Sequence, residues 1–281
     1  GNSKKIMKEI VSNINIIGGG LVGSIIAYSL SKLGYEISIL EKKKSYKNNT
    51  FKDNRTVAIS EGTKNFLSTI DLWNIIKPYC EPIKNIKVID RKLINQLDFD
   101  NSRRKSNLGY IVKNNDLLNV VYSKLLQRKN IKVLNKMDIN DFEITQDKIV
   151  TNTNKFKVFS DLNIAADGKN SFVRKFFKIP AYTKNYKKSA IVLILSHSKN
   201  HNGTAFELFY KNGPLAILPM KKVKDIFYSS MVWTNENQYL KNLLEMEENK
   251  LISILNNETQ NCIGNIKKII SKQVFPISAH L

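Results

Sequence analysis

The sequence predicts an α/β fold joined to a sheet-based second part, and three stretches carry that expectation. The run "INIIGGGLVGSIIAYSLSKLGYEISILEK", from Ile14 to Lys42, reads as strand, glycine turn, helix and strand. The segment "NIAADGKNSFVRK" at 163–175 ends an apolar run in an acid, a glycine and a serine before a short helix. Between 181 and 275 the chain reads as successive strands, with "SAIVLILS", "TAFELFY", "LAILPM" and "IFYSSMVW" as candidates.

In the first run, Ile14, Ile16 and Ile17 make a short β-branched strand. Gly18, Gly20 and Gly23 then fit G-x-G-x-x-G. Ile25, Ile26, Leu30 and Leu33 continue at helical spacing, and Gly34 closes the helix. Each glycine has a physical reason in a dinucleotide site. Gly18 permits the tight turn, Gly20 lets a pyrophosphate approach the backbone, and Gly23 lets the helix lie close to the strand. The helix end offers N–H groups and partial positive charge to phosphates. Glu41, at the tip of the next strand, can accept hydrogen bonds from an adenosine ribose, which favours FAD or NAD over NADP. This context predicts a Rossmann-like dinucleotide-binding domain. The alternative is a glycine-rich turn without a ligand, and for "ADGKNSFVR" it is a strand, a turn and the start of a helix.

Composition narrows the function classes. A chain of 281 residues with 42% hydrophobic and 9% aromatic content has ample core for one large domain or two interlocked ones. The net charge of +21 invites a nucleic-acid reading. Arginine, however, occurs only at Arg55, Arg91, Arg103, Arg104, Arg128 and Arg174, and lysine is spread along the chain with abundant Asn and Ile. That is the drift of an AT-rich genome, so no nucleic-acid partner is expected; attraction to an anionic membrane surface fits better. Cys80 and Cys262 are far apart and match no metal spacing, so free thiols and no metal are expected. The start "GNSKKIMKEI" has no long apolar region, so no signal peptide is expected, and Met7 is expected as the native start after a tag remnant. The longest apolar stretch, "AIVLIL" at 190–195, is too short to span a bilayer.

Further segments fix the choice between FAD and NAD. "NRTVAISEGTKNFLSTIDLWNII" (54–76) sets Arg55, Ala58 and Ser60 before a helix. "LGYIVKNNDLLNVVYSKLL" gives a short strand and then a helix from about Asn115. With the glycine turn, Glu41, "RTVAIS", "GYIVKNNDL", "AADGKNSFVR", "GPLAILPM" (213–220) and "FPISAHL" (275–281) in this order, the chain resembles the FAD-dependent aromatic monooxygenases, the para-hydroxybenzoate hydroxylase group. Within that group it is most similar to the ubiquinone-biosynthesis hydroxylases.

The resemblance implies roles for matching residues. Gly18, Gly20, Gly23 and Glu41 would bind the ADP half of FAD. Arg55 would lie along the pyrophosphate side near the flavin; its alternative is a surface ion pair. Asn114 matches a polar or basic position that touches FAD, its alternative being a helix cap. Asp167, Gly168 and Arg174 match the "DG" fingerprint associated with FAD and the reduced nicotinamide donor; Arg174 could instead be an exposed charge. No catalytic side chain is assigned, since the flavin carries the reaction. His197 and His201 are expected in solvent. Tyr182, Tyr186, Phe206, Phe209 and Tyr210 are expected as core or sheet residues, and Trp73 and Trp233 as core.

The implied function uses NAD(P)H and O2 to hydroxylate the ring of a polyprenylated phenol in ubiquinone biosynthesis, through a flavin C4a-hydroperoxide. The expected location is cytoplasmic and peripheral to the inner membrane, in contact with the bilayer or with other ubiquinone-biosynthesis proteins. The alternatives are an FAD-dependent isoprenoid reductase and a truncated non-catalytic subunit or scaffold. The expected organisation interleaves an FAD-binding domain (1–77 and 106–180) with a β-sheet substrate domain (78–105 and 181–275). A single helix is expected in "NQYLKNLLEMEENKLISILNN". Residues 276–281 would begin the return to the FAD domain, and the family's third motif, of the type G-D-A-A-H, would lie beyond Leu281; a fragment or shortened gene product is expected.

Overall fold

The computed structural model describes residues 7–44, 53–90, 96–100 and 106–280; Arg91, Arg103, Arg104, the first six residues and Leu281 lie outside the described residues. The fold is α/β, with two interleaved units: Gly1–Lys52 with Leu117–Ala181, and Asp53–Asp116 with Tyr182–Leu281. The boundaries differ from those expected. Residues 53–77 and 106–116 group with the second unit because the strands Thr56–Ile59, Gly109–Lys113 and Glu81–Ile83 hydrogen-bond as one antiparallel sheet. Such non-local pairing leaves no local signature in sequence.

The first unit is built on a parallel sheet in the order Leu162–Ala165, Ile14–Ile17, Ile37–Glu41, Ile131–Asn135. The helix Leu21–Ser31 makes the crossover between the two central strands. Its buried face carries Gly23, Ser24, Ala27, Tyr28 and Ser31. Small residues there let it lie close, and Ala27 joins Ile14, Ile16, Ile37, Ile39 and Leu125 in one core. A second sheet sets Lys8–Val11 parallel to Phe156–Ser160, followed by the antiparallel strands Ile149–Thr153 and Ile139–Ile144. Ser38 Oγ donates to Asn15 Oδ1 (2.9 Å), and Asn15 Nδ2 donates to Thr151 Oγ1 (3.2 Å), which ties these buried polar side chains together.

The second unit holds a seven-stranded sheet, ordered Ile266–His280, Thr183–His197, Ile226–Glu236, Gly213–Val223, Thr204–Tyr210, Asn85–Asp90, Gln96–Asp100. Period-2 alternation places Ile191, Leu193, Leu195, Leu215, Ile217, Met231 and Trp233 on one face. Against it pack Leu240, Leu243, Leu251 and Leu255. The expected single helix is two, Asn237–Glu245 and Glu248–Glu258, because Met246 and Glu247 take extended backbone with ψ of 152° and 143°. Trp73 is buried edge-on against Tyr110, with ring centroids 4.8 Å apart. Phe206 and Tyr210 pack on the sheet core, whereas Tyr182, Tyr186 and Phe209 are exposed.

The two histidines correct the sequence expectation: both are buried. His197 Nδ1 meets the Lys199 carbonyl (3.0 Å) and Nε2 meets Ser229 Oγ (2.9 Å). His201 Nε2 meets the Met220 carbonyl (2.8 Å), and Gly203 N–H donates to its Nδ1 (3.1 Å). With every ring nitrogen engaged, burial leaves no unsatisfied polar group. Desolvation holds His197 below its ordinary pKa.

Candidate functional site

The strand Ile14–Ile17 ends at Gly18, whose φ of +103° is a left-handed conformation. A Cβ there would also lie 2.3 Å from the Ala166 carbonyl oxygen. One at Gly23 would lie 1.9 Å from the Gly18 oxygen, so the helix sits directly on the turn. These two glycines are required by the protein's own packing. Gly20 differs. Its φ of −67° and ψ of −172° are open to any residue, and it is the N-cap of the helix. No side chain caps that helix, and its first turn holds no acid. The first N–H groups of a helix have no intrahelical partner, so an uncapped, acid-free end suits an anion.

Glu41 closes the turn from the neighbouring strand. Gly19 N–H donates to its Oε2 (2.7 Å) and Lys43 N–H donates to its Oε1 (2.8 Å). The residue is 5% exposed. Both carboxylate oxygens are thus oriented by backbone amides. The turn, Glu41 and the 166–168 segment thus come together in the first unit: the same added Cβ at Gly18 would stand 2.9 Å from Asp167 N.

The "DG" segment is built otherwise. Gly168 has φ +77°. Asp167 Oδ2 accepts from Phe172 N (2.7 Å) and Val173 N (3.2 Å), capping the short helix Phe172–Phe176. Ser171 Oγ accepts from Arg174 N (3.0 Å), and Arg174 Nη2 donates to the Lys169 carbonyl (2.7 Å). Each of these residues already has a task inside its own turn.

Arg55 and Asn114 lie in the second unit and share a partner that the sequence reading missed, Asp53. Arg55 Nε donates to Asp53 Oδ1 (2.8 Å) and Nη2 to Oδ2 (2.7 Å), a bidentate pair. Arg55 N–H also donates to Oδ1 (3.1 Å), and Asn114 Nδ2 donates to Oδ2 (2.6 Å). Burial opposes ionisation of Asp53, but the hydrogen bonds from Arg55 and Asn114 outweigh it and hold the carboxyl below its ordinary pKa. The hydrogen bond to Asp53 in turn raises Arg55. The guanidinium lies over the Phe275 ring, 4.8 Å from its centroid. An acid two residues before Arg55 was the available signal. Burial pushes the Cys80 thiol up to about 11, which removes it as a nucleophile.

An uncapped helix end beside a buried carboxylate fits a dinucleotide: phosphate at the amides and ribose hydroxyls at Glu41. The model of the FAD binding domain matches residues 11–280. The ubiquinone hydroxylase UbiL of Rhodospirillum rubrum is 29% identical over 244 residues, which are 84% of this chain and 54% of that protein. The ubiquinone biosynthesis monooxygenase COQ6 of Danio rerio is 30% identical over 264 residues, 87% of this chain and 54% of that one. The chain spans about half the length of these curated relatives. In fold it is similar to PqsL of Pseudomonas aeruginosa in complex with 2-aminobenzoylacetate, with a TM-score of 0.79 and 14% identity over 95% of this chain and 74% of that one. The p-nitrophenol 4-monooxygenase PnpA of Pseudomonas putida DLL-E4 gives a TM-score of 0.75 at 14% identity, over 97% and 69%.

Proposed function

The chain belongs to the FAD binding domain family, and from that premise we propose that it binds FAD and serves an NAD(P)H- and O2-dependent hydroxylation of a polyprenylated phenol on the way to ubiquinone. The observation that carries the reading is the Gly19–Glu41 hydrogen bond beside the uncapped helix Leu21–Ser31. It supplies amide donors for phosphate and a fixed acceptor for ribose within one compact turn. The choice of a ubiquinone-pathway phenol rests on kinship with ubiquinone hydroxylases.

In this reading Gly20 admits the pyrophosphate and Glu41 holds the adenosine ribose. Arg55 and Asn114 serve the flavin side, and Asp167, Gly168 and Arg174 the edge shared with the nicotinamide donor. FAD, when bound, supplies the redox chemistry. The protein's part is to bind, orient and exclude water. A polyprenyl tail accounts for contact with the inner membrane or with other proteins of the pathway, and the net charge of +21 favours an anionic bilayer surface. Among the described residues no helix is long and apolar enough to cross a membrane.

The test is reconstitution with FAD, followed by oxygen uptake with NADH or NADPH and a short-chain polyprenyl phenol. The expected result is flavin uptake and phenol-dependent oxygen consumption. Donor oxidation without oxygen uptake would replace the reading with an isoprenoid reductase. Absence of flavin uptake would replace it with a non-catalytic subunit.

A further inference from the structure

Asp53 gathers four donors from two segments that are sixty residues apart in sequence: Arg55 N, Nε and Nη2, and Asn114 Nδ2. Its side chain is 17% exposed, while that of Arg55 is 53% exposed. An ion pair with so exposed a partner contributes little to folding and restrains a long side chain. The restraint is nonetheless thorough. Besides the bidentate pair, the guanidinium is stacked on Phe275, the Asn54 N–H is held by Gln273 Oε1 (3.1 Å), and Asn114 N–H donates to the Arg55 carbonyl (2.9 Å).

The pairing also decides what each side chain has left to offer. An ionised carboxylate only accepts, so it takes the NH2 side of the Asn114 amide and fixes that amide's orientation. The Asn114 carbonyl oxygen is then left as an acceptor on the other side of the same group. Arg55 commits Nε and Nη2 to Asp53, and Nη1 has no protein partner among the described residues. The pair therefore presents one charged donor and one neutral acceptor. That combination matches a phosphate oxygen beside a sugar or ribityl hydroxyl, and it matches neither a simple anion nor an apolar group.

We propose that Asp53 is a positioning residue for the dinucleotide, fixing the Arg55 guanidinium and the Asn114 amide in the orientations in which they bind it. The inference rests on FAD being the ligand. Asp53 acts through its two neighbours and touches no ligand itself. Its worth lies in preorganisation: the ordering of two flexible polar side chains is completed before binding.

The experiment is FAD titration of the full chain, followed by flavin fluorescence, with thermal unfolding of the same samples. Asp53→Asn, which puts a donor where both neighbours need an acceptor, should weaken FAD about tenfold or more, with an unfolding temperature near that of the parent. Asp53→Glu should restore part of the loss. The double variant Asp53→Asn/Arg55→Ala should lose less FAD affinity than the two single losses added together, since the Arg55 route is already gone, a coupling that a merely structural role would not produce. Parental affinity in Asp53→Asn, or additive losses in the double variant, would overturn the inference and leave the FAD reading standing. A parent chain that takes up no FAD would overturn both.

Discussion

The glycine turn at 18–23 and the aspartate–glycine turn at 167–174 both lead from a parallel strand into a helix, and they differ in what they leave open. In the second, Asp167 and Ser171 accept the first N–H groups of the helix Phe172–Phe176, and Arg174 reaches back to the Lys169 carbonyl. In the first, no side chain caps the helix Leu21–Ser31, and the nearby acid, Glu41, binds the turn at Gly19 instead of the helix. A helix that caps itself is complete without a ligand; one that does not has donors to give. The same difference separates the glycines. Gly18, Gly23 and Gly168 answer to backbone geometry or to internal contact, while Gly20 has an ordinary backbone and no such demand from φ.

Substitutions on the two sides of this comparison should behave oppositely. The largest combined effect is expected from Glu41→Ala. It strips Gly19 and Lys43 N–H of their acceptor and removes the proposed ribose contact, so FAD affinity should fall by about 1.5–3 kcal/mol. Stability should fall as well, read by titration and chemical denaturation together. Asp167→Ala should cost about 0.5–2 kcal/mol of stability through the lost cap, with a smaller effect on FAD. An FAD loss as large as that of Glu41→Ala would show that Asp167 contributes to FAD as strongly as the first turn does, beyond its role as a cap. The smallest effect lies outside both turns. Desolvation lowers the His197 pKa from 6.5 in the folded state, so the unfolded chain takes up the proton first. Stability should be full above about pH 6.5 and decline as pH falls through the folded-state value. Melting temperatures across that range should show the decline in the parent and lose it in His197→Gln.

Much of the first unit was legible because its signals are local. The β-branched run at 14–17, the glycine spacing and the helical period after Leu21 each follow from a few neighbouring residues. Glu41 was placed correctly at its strand end, but its partner, a backbone amide 22 residues earlier, belongs to the folded turn alone. Asp53 was missed because its importance comes from Asn114, 61 residues away. The histidines were misread for the same reason. Their loop is polar, yet Ser229, 32 residues from His197, satisfies the ring inside the sheet. The unit boundaries differ from those expected because the strand Glu81–Ile83, in the segment expected for the substrate domain, pairs with Gly109–Lys113.

The central claim is that the uncapped helix end behind Gly20 receives the phosphates of FAD, and FAD titration of Gly20→Val tests it most directly. Extended backbone accommodates Val, and replacing Gly at an N-cap costs about 1 kcal/mol, so the variant should fold with a melting temperature close to the parent's. FAD binding should be abolished, because a branched side chain stands where the pyrophosphate must approach. A folded Gly20→Val chain that binds FAD as tightly as the parent would contradict the account.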